Sequence, residues 1–171
     1  MLLEMRVFAI TIDPFTNAPI VILKDLEEEN TLPVWIGVLE AGAIASEVEK
    51  IQFSRPMTHD LFTNIFKSTS MSLDRVEITD IIENVYYARL LVVSKEKVTY
   101  TIDARPSDAI AIALRMEAPI YVDTIVLDKS RDIDVGAVRG KMGERVEGAN
   151  ESEDLDILED LSPEDFGKYK M

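Results

Sequence analysis

The chain of 171 residues contains no cysteine and a single histidine, His59. The missing cysteine removes disulfides, thiolate nucleophiles and cysteine-ligated zinc. One histidine cannot build the His-Glu-x-x-His zinc helix, and no P-loop, Rossmann glycine fingerprint or nucleophile-elbow serine is present. Most common enzyme classes are thereby excluded. No uncharged stretch approaches the ~18 apolar residues of a membrane span, so no membrane association is expected. The amino terminus, Met1-Leu2-Leu3-Glu4, carries an acid within four residues and no basic region ahead of a long apolar run. It does not read as a signal peptide, and the expected location is cytoplasmic.

Positive charge is also scarce. The net charge is −14, with 20 acids against 12 bases in residues 1–130 and 12 against 6 in residues 131–171, which is −8 and −6. Affinity for nucleic acid normally comes from neutralising phosphates. If this chain engages nucleic acid, it must therefore do so through a local patch, a bound cation or an oligomeric groove.

The 47% hydrophobic content is enough to build one proper core. Glu4 to Asp13 and Ala18 to Lys24 read as a hairpin closed by Pro14-Phe15-Thr16-Asn17, and Leu32 to Gly37 as a third strand that Pro33 places at an edge or a strand start. After Gly37 the period changes: Ala41, Ile44, Ala45 and Val48 share one face of a first helix running to about Ile51. Thr58 to about Thr69 forms a second helix with the apolar stripe Leu61, Phe62, Ile65 and Phe66. Leu73 to Ile82, Val85 to Val93 and Val98 to Asp103 make an antiparallel meander. A third helix, apolar nearly all round, runs through Ala109 to Met116, followed by a short strand at Pro119 to Val122 that Thr124 to Leu127 is expected to extend. The reading is an α+β single domain over residues 1–130, with a mostly antiparallel or mixed sheet and about three helices. Residues 131–171 hold five of the seven glycines and only two aromatics, and are expected to form a flexible acidic tail.

Two stretches carry candidate chemistry: Arg55-Pro56-Met57-Thr58-His59-Asp60-Leu61 and Ile102-Asp103-Ala104-Arg105-Pro106-Ser107-Asp108-Ala109-Ile110. In each, an Arg-Pro step precedes a hydroxyl residue, an aspartate and the apolar start of a helix. The residue before proline is biased to extended backbone, which makes Thr58 and Ser107 the expected N-caps. A guanidinium, a carboxylate, a hydroxyl and helix N–H groups within a few ångströms suit an anion such as phosphate. The expected site set is His59, Asp60, Asp103 and Asp108 for catalysis, with Arg55, Arg105, Thr58 and Ser107 binding substrate; Glu40 and Asp80 are outliers. Glu40 is explained by default as a charge at a helix start. Asp60, Asp103 and Asp108 are the candidate ligands for Mg²⁺ or Mn²⁺, which prefer oxygen and clamp phosphate oxygens. His59 is the candidate proton carrier.

These blocks, together with Leu32-Pro33-Val34-Trp35-Ile36-Gly37, Ile78-Thr79-Asp80 and Tyr87-Ala88-Arg89-Leu90, resemble the bifunctional nuclease family in order and spacing over about residues 5–130. The resemblance implies a single α+β domain and a nuclease activity that cleaves RNA and DNA, as described for plant relatives. Some relatives continue into a UvrB/UvrC-like helical motif, where this chain has its acidic stretch. Two functional readings follow: a cation-assisted phosphodiesterase, or a non-catalytic oligomeric binding or regulatory module in which the Arg/Asp motifs serve structure or an interface. The small-residue face Ala41, Gly42, Ala43, Ala45 and the apolar third helix lead to the expectation of a homo-oligomer.

Overall fold

The computed structural model describes residues 1–131. The expected acidic tail, apart from its first residue, lies outside the described residues. β1 (Leu2–Ile12) and β2 (Pro19–Asp25) form the first hairpin. Asn17 closes its turn at φ 54°, a conformation asparagine tolerates. β3 (Thr31–Trp35) pairs with β2 at one edge of the sheet, where Pro33 costs no ladder hydrogen bond. After α1 (Val38–Val48) and α2 (Thr58–Ser68), the meander is β4 (Ser72–Ile82), β5 (Val85–Val93) and β6 (Thr99–Ala104). Glu83 and Asn84 both take positive φ, 50° and 62°, as the two-residue turn matching strand twist requires. α3 (Pro106–Met116), β7 (Ile120–Asp123) and α4 (Thr124–Arg131) follow.

The seven strands form one mixed sheet in the order β3-β2-β1-β7-β4-β5-β6. β7 joins two antiparallel halves by pairing antiparallel to β1 and parallel to β4. The α+β reading stands, with a fourth helix added. Thr124 to Leu127 is helical rather than an extension of the sheet. The neighbours Val126 and Leu127 are both buried, which an alternating strand cannot achieve, and Asp123 Oδ1 accepts the Ile125 N–H at 3.1 Å as a cap.

Burial alternates along the strands, with Val21 and Leu23 of β2 and Ala88, Leu90 and Val92 of β5 facing the core. α3 sits over β4 and β5 and is flanked by α1 and α2. Its Ala109, Ile110, Ala111 and Ala113 have no exposed surface, so the all-apolar helix is accounted for inside the chain. The small residues of α1 similarly let α1 and α3 pack together. Among the described residues no helix is long and apolar enough to cross a membrane.

Candidate active site

Both helices that follow an Arg-Pro step point their amino ends at one cavity. Its volume is about 690 Å³, and α1, α2, α3 and β6 all contribute to its walls. Leu39, Phe53, Phe62, Leu90, Ile102 and Ile112 provide its apolar surface, and Glu40, His59, Arg105, Asp108 and Arg115 gather on its polar side.

The helix starts differ from expectation by one or two residues. α2 is capped by Met57, with Thr58 as its first helical residue, because Asp60 reaches back to accept the Met57 N–H at 2.8 Å and so sets where the helix begins. α3 is capped by Arg105, because Pro106 has the fixed φ and missing donor that suit a first helical position. Ser107 is therefore inside the helix and buried. Thr58 borders the cavity, whereas Ser107 does not.

His59, in the first turn of α2, places Nε2 3.0 Å from Asp108 Oδ1 in the first turn of α3. The imidazole is 13% exposed. The carboxylate can only accept, which assigns the proton to Nε2 and leaves the Nδ1 lone pair available. Arg105 approaches Asp108 from the other side, Nε donating to Oδ2 at 2.8 Å and Nη2 to Oδ1 at 3.2 Å, while its Nη1 meets Glu40 Oε1 at 2.8 Å. Burial works to raise the Asp108 pKa, but hydrogen bonds from Arg105 and His59 and the Arg105 charge outweigh it and hold the carboxyl below its ordinary range. The Glu40 carboxylate also lies against Gly37, so a side chain there would make it shift from its place beside Arg105.

Asp60 has a different task. Arg115, 5% exposed, donates from Nε to Asp60 Oδ1 at 2.6 Å and from Nη1 to the carbonyls of Ala43 and Ala111 at 2.9 and 3.1 Å. One guanidinium thus ties α3 to α1 and α2. Burial again opposes ionisation of Asp60, and the bonds from Arg115 and the Met57 N–H prevail to lower its pKa.

Asp103 belongs to another neighbourhood. It lies opposite Arg89 in the β5–β6 ladder, next to Ile102, which lies opposite the core residue Leu90, so the alternation turns Asp103 toward the other face of the sheet. There Arg89 and Arg75 clamp the buried Glu77, each Nε donating at 2.7 Å. Burial favours protonation of Glu77, but the two arginines dominate and keep its carboxyl below the ordinary range. Asp103 is nonetheless one of the β6 residues that border the cavity. Arg55 is exposed in the loop before α2 and makes no ion pair among the described residues. Asp80, one of the outliers, binds Lys129 of α4 at 2.6 Å.

The three carboxylates assigned to a cation are thus not brought together. Both oxygens of Asp60 and both of Asp108 are already engaged, and among the described residues no three His, Asp or Glu side chains gather as a metal site. A cation at Asp108 would have to displace Arg105 or His59. The side chains that sequence reading did not place here are Glu40, set aside as a helix-start charge, and Arg115. Arg115 had a signal: it is the charge that interrupts the apolar run of α3.

The model of the Bifunctional nuclease domain matches residues 21–134. An uncharacterized protein of Mycobacterium tuberculosis is 36% identical over 171 residues, covering 95% of this chain and 97% of its own. The chain belongs to the bifunctional nuclease family. Bifunctional nuclease 1 of Oryza sativa subsp. japonica is 30% identical over 107 residues, and Bifunctional nuclease 1 of Arabidopsis thaliana is 28% identical over 126. The matched regions cover 60% and 70% of this chain but only 32% and 38% of those proteins. The family match takes in α1, α2, β6 and α3, and therefore every element that lines the cavity.

Proposed function

We propose that this cavity is a nuclease active site that hydrolyses phosphodiester bonds in single-stranded RNA and DNA. The observation that carries the reading is the His59–Asp108 pair at 3.0 Å with Arg105 beside it on the polar side of a cavity large enough for one nucleotide. Asp108 orients the imidazole so that Nδ1 takes a proton from water. The new oxygen attacks phosphorus, the bond to the leaving oxygen breaks, and the imidazolium returns the proton to that oxygen. Arg105 meets the negative charge that builds on the phosphate. Phe62, which lines the same cavity and is partly exposed, offers an aromatic face to a base. Water as nucleophile needs no 2′-hydroxyl, so one site serves both RNA and DNA.

The charge balance limits the substrate. Two carboxylates, Glu40 and Asp108, border the cavity against two guanidiniums, Arg105 and Arg115, so its walls carry no excess of positive charge. A long duplex is therefore held weakly, and short single strands whose bases stack are favoured. Arg55 adds an uncompensated positive charge outside the cavity, along a path for the flanking phosphates.

The test is cleavage of labelled single-stranded RNA and DNA oligonucleotides by the wild type and His59→Gln at matched folded concentration. The expected result is a loss of about 10²–10⁴-fold in the variant on both substrates, the range general acid–base catalysis supplies. Full activity of His59→Gln, or a folded wild type inert on both substrates, would overturn the reading and leave the cluster as a structural junction. The same assay in excess chelator decides whether Mg²⁺ or Mn²⁺ takes part.

A further inference from the structure

The two edges of the sheet are not alike. β3 is short, contains Pro33 and is covered: Tyr86, next to the β4–β5 turn, donates its hydroxyl to the Pro33 carbonyl at 2.9 Å, and α4 packs nearby. Its burial pushes the Tyr86 phenol up to about 12. β6 has none of these protections. Among the described residues it pairs with β5 alone, in a register without a bulge, and it contains no proline and no lysine. Tyr100 is 48% exposed and Ile102 43%, on the face the helices cover elsewhere, and Val98 just before them is also exposed. A regular edge with exposed apolar side chains is a template for another strand.

We infer that β6 pairs antiparallel with β6 of a second copy of this chain, joining the two sheets into one. A two-fold axis normal to a sheet keeps each side chain on its own face, so only registers centred on a residue are allowed. Centred on Tyr100, the pairing sets Val98 against Ile102 and Thr99 against Thr101, each twice; centred on Thr101, it sets Tyr100 against Ile102 and Thr99 against Asp103. In both, exposed apolar side chains meet apolar side chains on one face and polar ones meet polar ones on the other. Strand pairing alone falls short of the ~1,200–2,000 Å² of a stable interface. Leu61, Phe62 and Ile65 of α2 are exposed apolar side chains available for the remainder, and Phe62 shares the cavity with Ile102. Because Ile102, Asp103 and Ala104 form one wall of that cavity, the second copy borders the candidate active site.

The test is sedimentation equilibrium of the full chain between about 1 and 100 µM, a span that resolves micromolar association. A dimer is expected. Tyr100→Lys, which places two lysines in the apolar seam, should raise its dissociation constant by roughly 100-fold or more, whereas Thr31→Lys on the β3 edge should leave it unchanged. Hydrogen-exchange protection of the wild-type β6 amides should rise with protein concentration through the dimerisation midpoint, which carries the test should Tyr100→Lys unfold. A monomeric wild type, a dimer indifferent to Tyr100→Lys, or a dimer whose β6 amides exchange as fast as the monomer's would overturn the inference. A monomer whose β6 amides resist hydrogen exchange would assign the edge to residues 132–171 of the same chain, again against the inference.

Discussion

At the start of α2, Arg55 precedes a proline and Asp60 occupies the third helical position; at the start of α3, Arg105 precedes a proline and Asp108 occupies that same position. From there the two junctions diverge. Asp60 gives one oxygen to its own helix start and the other to the buried Arg115, while Arg55 is left outside in solvent. Asp108 makes no cap. It binds its own Arg105, 66% exposed, and the histidine supplied by the other junction. One copy of the motif therefore holds three helices together, and the other equips the cavity. Similar local sequences diverge because Asp60 faces the interior between helices, where an arginine on α3 waits, and Asp108 faces the cavity.

The largest expected effect separates the two arginines. Arg115→Ala leaves the half-buried Asp60 without its partner and unties α3 from α1, at a cost of about 3–5 kcal/mol; Arg105→Ala removes a solvent-exposed guanidinium from its two ion pairs, with Asp108 and Glu40, and costs about 0–2 kcal/mol. Urea midpoints of the two variants measure the difference, and equal midpoints would erase the contrast between a tying and a working junction.

The aspartates should divide in the same way. Asp60→Asn loses a charged hydrogen bond and weakens the helix start, at about 1–3 kcal/mol of stability. Asp108→Asn should shift the thermal midpoint less, yet abolish most cleavage by releasing the His59 tautomer, a loss visible in the oligonucleotide assay. If Asp60→Asn proved the more damaging to activity at full stability, the assignment of roles would be reversed.

Acid should expose the tying role. Asp60, Glu77 and Asp108 all have folded pKa values lowered relative to the unfolded chain. Their contribution is fully present above the ordinary carboxylate range and is lost as pH falls through their folded values. The urea midpoint should therefore drop as pH is lowered below about 4, and Asp60→Asn, already without its carboxylate, should show a shallower drop than the wild type. An equal slope in both would remove Asp60 from the acid response.

The smallest effect concerns the cavity wall. A Cβ at Gly42 would meet nothing within 4 Å, so Gly42→Ala should gain up to about 1 kcal/mol of helix stability with the site undisturbed. Loss of stability in that variant would mean the wall is already filled.

Much of the architecture could be read locally. The 3.6-residue apolar period of α2, the tight turn at Glu83-Asn84 and the proline on β3 each report on neighbours in the chain, and each is where it was expected. The helix starts were misplaced because Thr58 and Ser107 are good caps in general, whereas here the reach of Asp60 and the ring of Pro106 decide. Thr124 to Leu127 was misread for a related reason: a short apolar run suits a strand or a buried helix equally, and only the packing against β4 and β7 chooses. The periods, the turns and the presence of two guanidinium-carboxylate junctions are legible along the chain, because these depend on backbone sterics and on residues a few positions apart. That His59 meets Asp108 across 49 positions, that Arg115 claims Asp60 across 55, and that the Asp103 side chain turns to the other face of the sheet follow from packing alone. Those partners are chosen by how α1, α2 and α3 pack on the sheet and by which face of β6 each side chain takes, and neither packing nor facing is written in any short stretch of the chain.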